Sequence, residues 1–127
     1  MEIIGSGLDA TDIERIATAI QRYGDRFVLR VFTAAEIQYC RDKRDFASSF
    51  AARFAAKEAA MKALGTGHAE GVFWRGIEVV RHGGPPQLRF HDGAAARLQA
   101  MGATGALLTI THSEKLAIAH VLLVRAT

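Results

Sequence analysis

Glu58, Lys62 and Asp9 are side chains of types that handle charge in transfer chemistry. Glu58 and Lys62 stand four residues apart in Arg53-Phe54-Ala55-Ala56-Lys57-Glu58-Ala59-Ala60-Met61-Lys62-Ala63-Leu64-Gly65-Thr66-Gly67, an alanine-rich run with helical composition. On a helix they share a face one turn apart, with Phe54 on the same stripe a turn earlier. An acid able to hold a cation thus sits beside a base able to hold a phosphate. The pair also reads as an i,i+4 surface ion pair worth a few tenths of a kcal/mol. Asp9 adds a second carboxylate far away in sequence, after Ile3-Ile4-Gly5-Ser6-Gly7-Leu8, an apolar strand running into glycines.

Other elements must bring these residues together. Thr11-Asp12-Ile13-Glu14 has the form of a capping box and predicts a helix to about Arg22; Thr33-Ala34-Ala35-Glu36 repeats the signal. A short helical piece is expected around Arg26 to Arg30. The long helix should run from about Asp45 to Leu64, with Gly65 taking the left-handed position after it. From Val72 the pattern changes. Trp74 to Arg81 reads as a strand, Gly83-Gly84-Pro85-Pro86 as a turn, and Gln87 to His91 as a second strand. Asp92 is expected to cap a helix to about Met101, ended by Gly102. Ala106 to His112 and Leu116 to Arg125 read as a hairpin about Ser113-Glu114-Lys115. The class is α+β, a single domain over residues 1–127 with one long helix packed on a largely antiparallel sheet.

Three blocks resemble the 4'-phosphopantetheinyl transferase superfamily, and within it the small holo-acyl-carrier-protein synthase type. They are Gly5-Ser6-Gly7-Leu8-Asp9 with Arg15 following, Arg53 to Ala59 through Lys62 and Gly65-Thr66-Gly67, and Thr109-Ile110-Thr111-His112-Ser113 before an apolar strand. They follow the family's order and span nearly the whole chain.

The resemblance implies the 4'-phosphopantetheinyl transferase fold. It also implies an enzyme that moves the phosphopantetheine arm of coenzyme A onto a serine of apo acyl carrier protein, releasing adenosine 3',5'-bisphosphate. Asp9 and Glu58 would bind magnesium, with manganese as the alternative ion, and Lys62 would face the pyrophosphate. His112, Arg53, Gly65, Gly67, Pro85 and Ser113 would contact coenzyme A. At this chain length the family forms homotrimers with active sites between subunits, and Gly83-Gly84-Pro85 resembles the turn that lines a neighbour's adenine pocket. Gly84 stands where the family often has lysine, so a charge contact is lost there. Read on residue type alone, His112 is more often a hydrogen-bonded structural histidine, and Ser113 is equally a turn residue.

With half its residues apolar, the chain is large enough to bury a core without disulfides, and its one cysteine, Cys40, excludes a disulfide framework and a multi-cysteine zinc site. A strand begins after two residues with no signal-peptide pattern, and no apolar run approaches a membrane span, so a cytoplasmic protein without a membrane partner is expected. The net charge of +3 is mild, but basic residues cluster at Arg15, Arg22, Arg26 and Arg30 and again at Arg41, Lys43 and Arg44. Such a surface favours an anionic partner. In the family, a basic first helix docks the acidic carrier; Arg15 and Arg22 match it most closely, with Arg26 beside them. Nucleic acid is not expected, because neither interleaved aromatics nor zinc-finger spacing nor basic-zipper heptads are present.

Two other readings compete. Gly5-x-Gly7-x-x-Ala10 satisfies a relaxed dinucleotide fingerprint, but a helical stretch occupies the place where the second strand and its acidic residue should fall. A basic binding module without catalysis would explain the arginines, yet not the joint arrival of Asp9, Glu58, Lys62 and His112 in family order.

Overall fold

The computed structural model describes residues 1–127. Its central element is α4 (Phe46–Leu64). The Asp45 carboxylate caps it, accepting from Ser48 N at 3.2 Å and from Ser48 Oγ at 2.6 Å. These bonds hold the Asp45 carboxyl below its usual range. The helix ends as expected at Gly65, whose φ of 74° is left-handed and whose N–H donates to Met61 O and Lys62 O. Between Ala51 and Leu64 every residue is buried except Phe54, Glu58 and Lys62. Such a helix is a core rod with one open stripe rather than an amphipathic surface helix.

Three antiparallel strands lie against it in the order β1 (Glu2–Asp12), β5 (Leu116–Arg125), β4 (Gly105–His112). Ala117, Ala119, Val121 and Leu123 of β5 point inward and are fully buried, the period-2 alternation of a half-covered sheet. β1 comes closer still. A Cβ on Gly7 would overlap Ala59 O and stand 2.7 Å from Ala63 N, and one on Gly5 would stand 2.5 Å from Ala63 O. The glycines therefore lie inside the strand, where they let strand and helix backbones touch, rather than at its end.

Around this pair run α1 (Ile13–Tyr23), α2 (Asp25–Val31) and α3 (Ala34–Arg41). α3 has both halves of the expected capping box, Thr33 with Glu36. The first helix departs from expectation. Asp12 caps it, accepting from Glu14 N at 3.0 Å, while Thr11 stays in β1 opposite Ala117 and donates its hydroxyl to Asp9 instead.

The sheet is also not continuous. β2 (Ile77–Val80) and β3 (Gln87–Phe90) form a separate two-stranded ribbon. Trp74–Gly76, expected to belong to the strand, is a single 3₁₀ turn, where a buried lysine described below takes the Trp74 carbonyl. α5 (Asp92–Ala100) follows, but its cap residue is His91: Asp92 has φ of 53° and makes no capping bond. The β4–β5 hairpin closes as expected, with Ser113 N donating to Leu116 O at 2.8 Å. No helix is long and apolar enough to cross a membrane.

Gly7→Ala should lower stability by about 3 kcal/mol or more, the upper end of overpacking costs, because the obstacle is backbone that has no rotamer to change. Gly84→Ala, where a Cβ meets nothing within 4 Å, should be near neutral. Thermal and urea unfolding of the two variants against the parent checks both outcomes.

Candidate active site

The contact of β1 with α4 sets Asp9 against the open stripe of the helix. Lys62 Nζ donates to Asp9 Oδ1 at 3.0 Å and to Leu8 O at 3.0 Å, and Thr11 Oγ1 donates to Asp9 Oδ2 at 2.6 Å. Lys62 thus pairs across to the strand and not with Glu58 one turn before it. Glu58 Oε2 instead accepts from Trp74 Nε1 at 3.1 Å, and His68 Nε2 lies 3.4 Å from the same oxygen. The Lys62 ammonium crosses from α4 to Asp9 on β1, and Glu58 stands one turn before Lys62 on the same helix stripe, which makes Asp9 and Glu58 the two carboxylates of this face. Their donors to a metal would be oxygens alone. Two carboxylates are by their chemistry a donor set for a hard ion that keeps much of its water shell.

Arg53 faces elsewhere. At about 100° of rotation per residue it lies roughly 140° around α4 from Glu58 and 180° from Lys62. It is only 6% exposed, and its guanidinium stacks on the Tyr39 ring with Cζ 3.9 Å from the centroid. Lys43 Nζ stands 4.4 Å from the centre of that ring. These residues line a pocket of about 770 Å³ together with Arg44, Arg81, Pro85 and His112. Five basic side chains against the single carboxylate of Asp45 make it a cavity for an anion. Arg53 Nε is buried there without a hydrogen-bond partner, a donor whose desolvation is uncompensated until something accepts from it.

The remaining expected contacts divide. Pro85 and His112 line the basic pocket, whereas Gly65, Gly67 and Ser113 do not. Ser113 Oγ is committed to its own turn, accepting from Lys115 N and Leu116 N at 3.3 and 3.1 Å. Gly84, in place of the family's lysine, offers its carbonyl to Arg81 Nε at 2.9 Å, so Arg81 brings a positive charge to that side of the pocket. Tyr39, Arg81 and Trp74 were not singled out in the sequence. Lys43 and Arg44 showed only as part of a basic run.

Arg15 and Arg22 are exposed on α1 and Arg26 on α2. Arg26 and Arg30 border a cleft of about 390 Å³ floored by Tyr23, Phe27, Val31 and Trp74. That cleft adjoins the carboxylate half through Trp74, so basic charge and apolar surface meet beside Glu58.

Beneath both halves lies a buried ion pair. Lys57 Nζ donates to Glu36 Oε1 at 2.7 Å, to Ile77 O at 2.6 Å and to Trp74 O at 3.0 Å, and both charged side chains are fully buried. Glu36 also accepts from Thr33 N and Val79 N, each at 2.9 Å. Burial pushes the Lys57 ammonium down from its usual range, against the pull of Glu36. Glu78 extends the network, accepting from Thr33 Oγ1 at 2.8 Å with His91 Nε2 at 3.0 Å. Burial opposes its charge, but the Thr33 and His91 contacts prevail and hold its carboxyl low. Cys40 is a buried thiol on α3, pushed up by that burial.

An acid pair on one face of a central helix and a basic pocket on another are the equipment of an enzyme acting on a phosphorylated anion. A family model described as the 4'-phosphopantetheinyl transferase superfamily matches residues 5–119, and the chain belongs to that superfamily. Within it the chain is 51% identical over 122 residues to a holo-[acyl-carrier-protein] synthase of Koribacter versatilis, covering 95% of this chain and 98% of the relative. The solved holo-[acyl-carrier-protein] synthase of Neisseria meningitidis shares the fold at a TM-score of 0.88 and 28% identity, over 96% of this chain and 98% of that one. That of Helicobacter pylori, solved in complex with coenzyme A, matches at a TM-score of 0.81 and 28% identity, covering 93% and 98% of the two chains.

Lys57→Met should cost about 3–5 kcal/mol by stranding the buried Glu36 charge. The double variant Lys57→Met with Glu36→Gln should recover part of that loss. A denaturant double-mutant cycle measures both.

Proposed function

We propose that this protein is a magnesium-dependent transferase that moves the 4'-phosphopantetheine arm of coenzyme A to a serine of apo acyl carrier protein. The serine hydroxyl gives up its proton to water and its oxygen forms a bond to the β-phosphorus of the pyrophosphate, the bond from that phosphorus to the bridging oxygen breaks, and adenosine 3',5'-bisphosphate leaves. The observation that carries this reading is the basic pocket lined by Lys43, Arg44, Arg53 and Arg81, found in a chain whose family similarity spans nearly its whole length. That pocket has the charge for the phosphates of the nucleotide end, with Pro85 and His112 at its walls.

Asp9 and Glu58 fit magnesium by their donor chemistry, and the Lys62 ammonium on Asp9 Oδ1 marks where positive charge is already held at that carboxylate. When bound there, magnesium supplies charge neutralisation to the pyrophosphate oxygens, as manganese would at the same oxygen donors. Lys62, more than half exposed, is free to turn toward a phosphate. Arg15, Arg22 and Arg26 give an acidic carrier a basic approach to the carboxylates.

The working unit in this reading is a homotrimer with shared sites. The basic pocket and the carboxylates lie on opposite sides of α4, so one small ligand reaches both only if they belong to two different chains. The outer face of the three-stranded sheet offers an interface, with Leu8 61%, Leu107 50% and Leu116 40% exposed. The family supplies the number three. We further propose one domain over residues 1–127, acting in the cytoplasm and serving fatty acid and lipid synthesis, where acyl carrier proteins and coenzyme A meet.

Asp9→Asn and Glu58→Gln should each reduce transfer at least a hundredfold with an intact fold, of the order found when one charge-stabilising contact is removed. The measurement is the mass of apo acyl carrier protein after incubation with coenzyme A and magnesium, and a full phosphopantetheine gain at the parent rate in both variants defeats the assignment. Subunit mixing tests the shared site. Asp9→Asn and Arg53→Ala chains, each inactive alone, should regain activity when unfolded and refolded together, because some interfaces then carry two intact halves; no recovery means each chain works alone.

A further inference from the structure

We propose that Trp74 is a positioning residue for Glu58: by holding Oε2, its indole N–H aims the other carboxylate oxygen, Oε1, at the divalent cation. The inference rests on the reading of Asp9 and Glu58 as the cation's ligands. Its basis is that both nitrogen neighbours of Glu58, Trp74 Nε1 at 3.1 Å and His68 Nε2 at 3.4 Å, fall on Oε2. Oε1 receives neither, and Glu58 lies on the only open stripe of its helix. A carboxylate with one oxygen engaged binds a small ion through the other, which suits a cation that tolerates little deviation from octahedral geometry.

An indole does this only if it is itself fixed, and Trp74 is held at three places. Its carbonyl accepts from Lys57 Nζ at 3.0 Å, the same ammonium that takes Ile77 O just after the Trp74–Gly76 3₁₀ turn. One side of the ring system stands 6.1 Å from the Phe54 ring, tilted by 36°, and the His68 ring packs edge-on at 4.3 Å. Lys57 and Glu58 are consecutive in α4, so a single helical turn grips the backbone of Trp74 and receives its side chain. The indole N–H of Trp74 is given to Glu58, the single glutamate of α4.

Trp74 is the only tryptophan in the chain, so replacing tryptophan biosynthetically with β-(3-benzothienyl)alanine exchanges that one N–H for sulfur and preserves the ring shape. Manganese binding is measured by the electron paramagnetic resonance of the free ion, with and without coenzyme A, for the parent, the benzothienyl protein, Trp74→Phe and Glu58→Gln. We expect the two proteins lacking the donor to bind manganese about tenfold more weakly, at the low end of effects from a group behind a metal ligand. Their thermal midpoints should stay at the parent value. Their half-saturating magnesium in transfer should rise by a similar factor while the rate at saturating magnesium holds, a split that a loosened fold would not give. Parent-like manganese binding in the benzothienyl protein, with weakened binding in Glu58→Gln, overturns the role of Trp74 alone. Parent-like binding in Glu58→Gln overturns both this inference and the cation site it rests on.

Discussion

Everything in this molecule follows from how closely β1 lies on α4. Gly5 and Gly7 leave no Cβ between the strand and the carbonyls of Ala59 and Ala63, so the two backbones meet without side chains to cushion or vary the distance. Asp9 is two residues beyond Gly7 on that strand, and its partner Lys62 is one residue before Ala63 on that helix. The placement of the acid pair is therefore inherited from main-chain contact, which has no rotamers and little compliance. The pairing of Asp9 with Lys62 is a by-product of packing.

The second constraint is electrostatic. A lysine and a glutamate with no solvent exposure are costly to bury, and the structure accepts that cost because Lys57 reaches three acceptors that belong to segments remote in sequence. Replacing such a pair with apolar side chains would leave those carbonyls without a donor. The pair ties α3, the 3₁₀ turn and β2 to α4. The same helix then presents Arg53 to one side and Glu58 to the other, so one buried rod carries the alignment of two differently charged surfaces.

Much of this was legible in the sequence. The helical period put Glu58 and Lys62 on one stripe with Phe54, and the structure leaves those three as the only residues not buried between Ala51 and Leu64. The same period also holds the opposite placement of Arg53. Misreadings arose where a residue had two competing local uses. Thr11 has a hydroxyl suited to capping, but Asp9 two residues earlier was the nearer acceptor, so the cap passed to Asp12. The apolar run of Ile77 to Val80 lent its strand signal to Trp74, whose carbonyl is taken by Lys57 from 17 residues away. Lys57 was not singled out in the sequence. Nothing local marks a lysine that will be swallowed by the core, since the acceptors that allow it come from three other segments.

The burial of α4 bears on how this chain can drift through evolutionary time. From Ala51 onward the alanines of α4 are buried, so enlarging one overpacks the core at a cost of about 1–3 kcal/mol, and shrinking one to glycine would weaken the helix by about 1 kcal/mol. Neutral change along that run is closed in both directions. The frame around Phe54, Glu58 and Lys62 is thus insulated from wandering by sterics alone, whatever reaction is under selection, and new specificities in descendants of this sequence would have to arise in the loops and outer helices that border it.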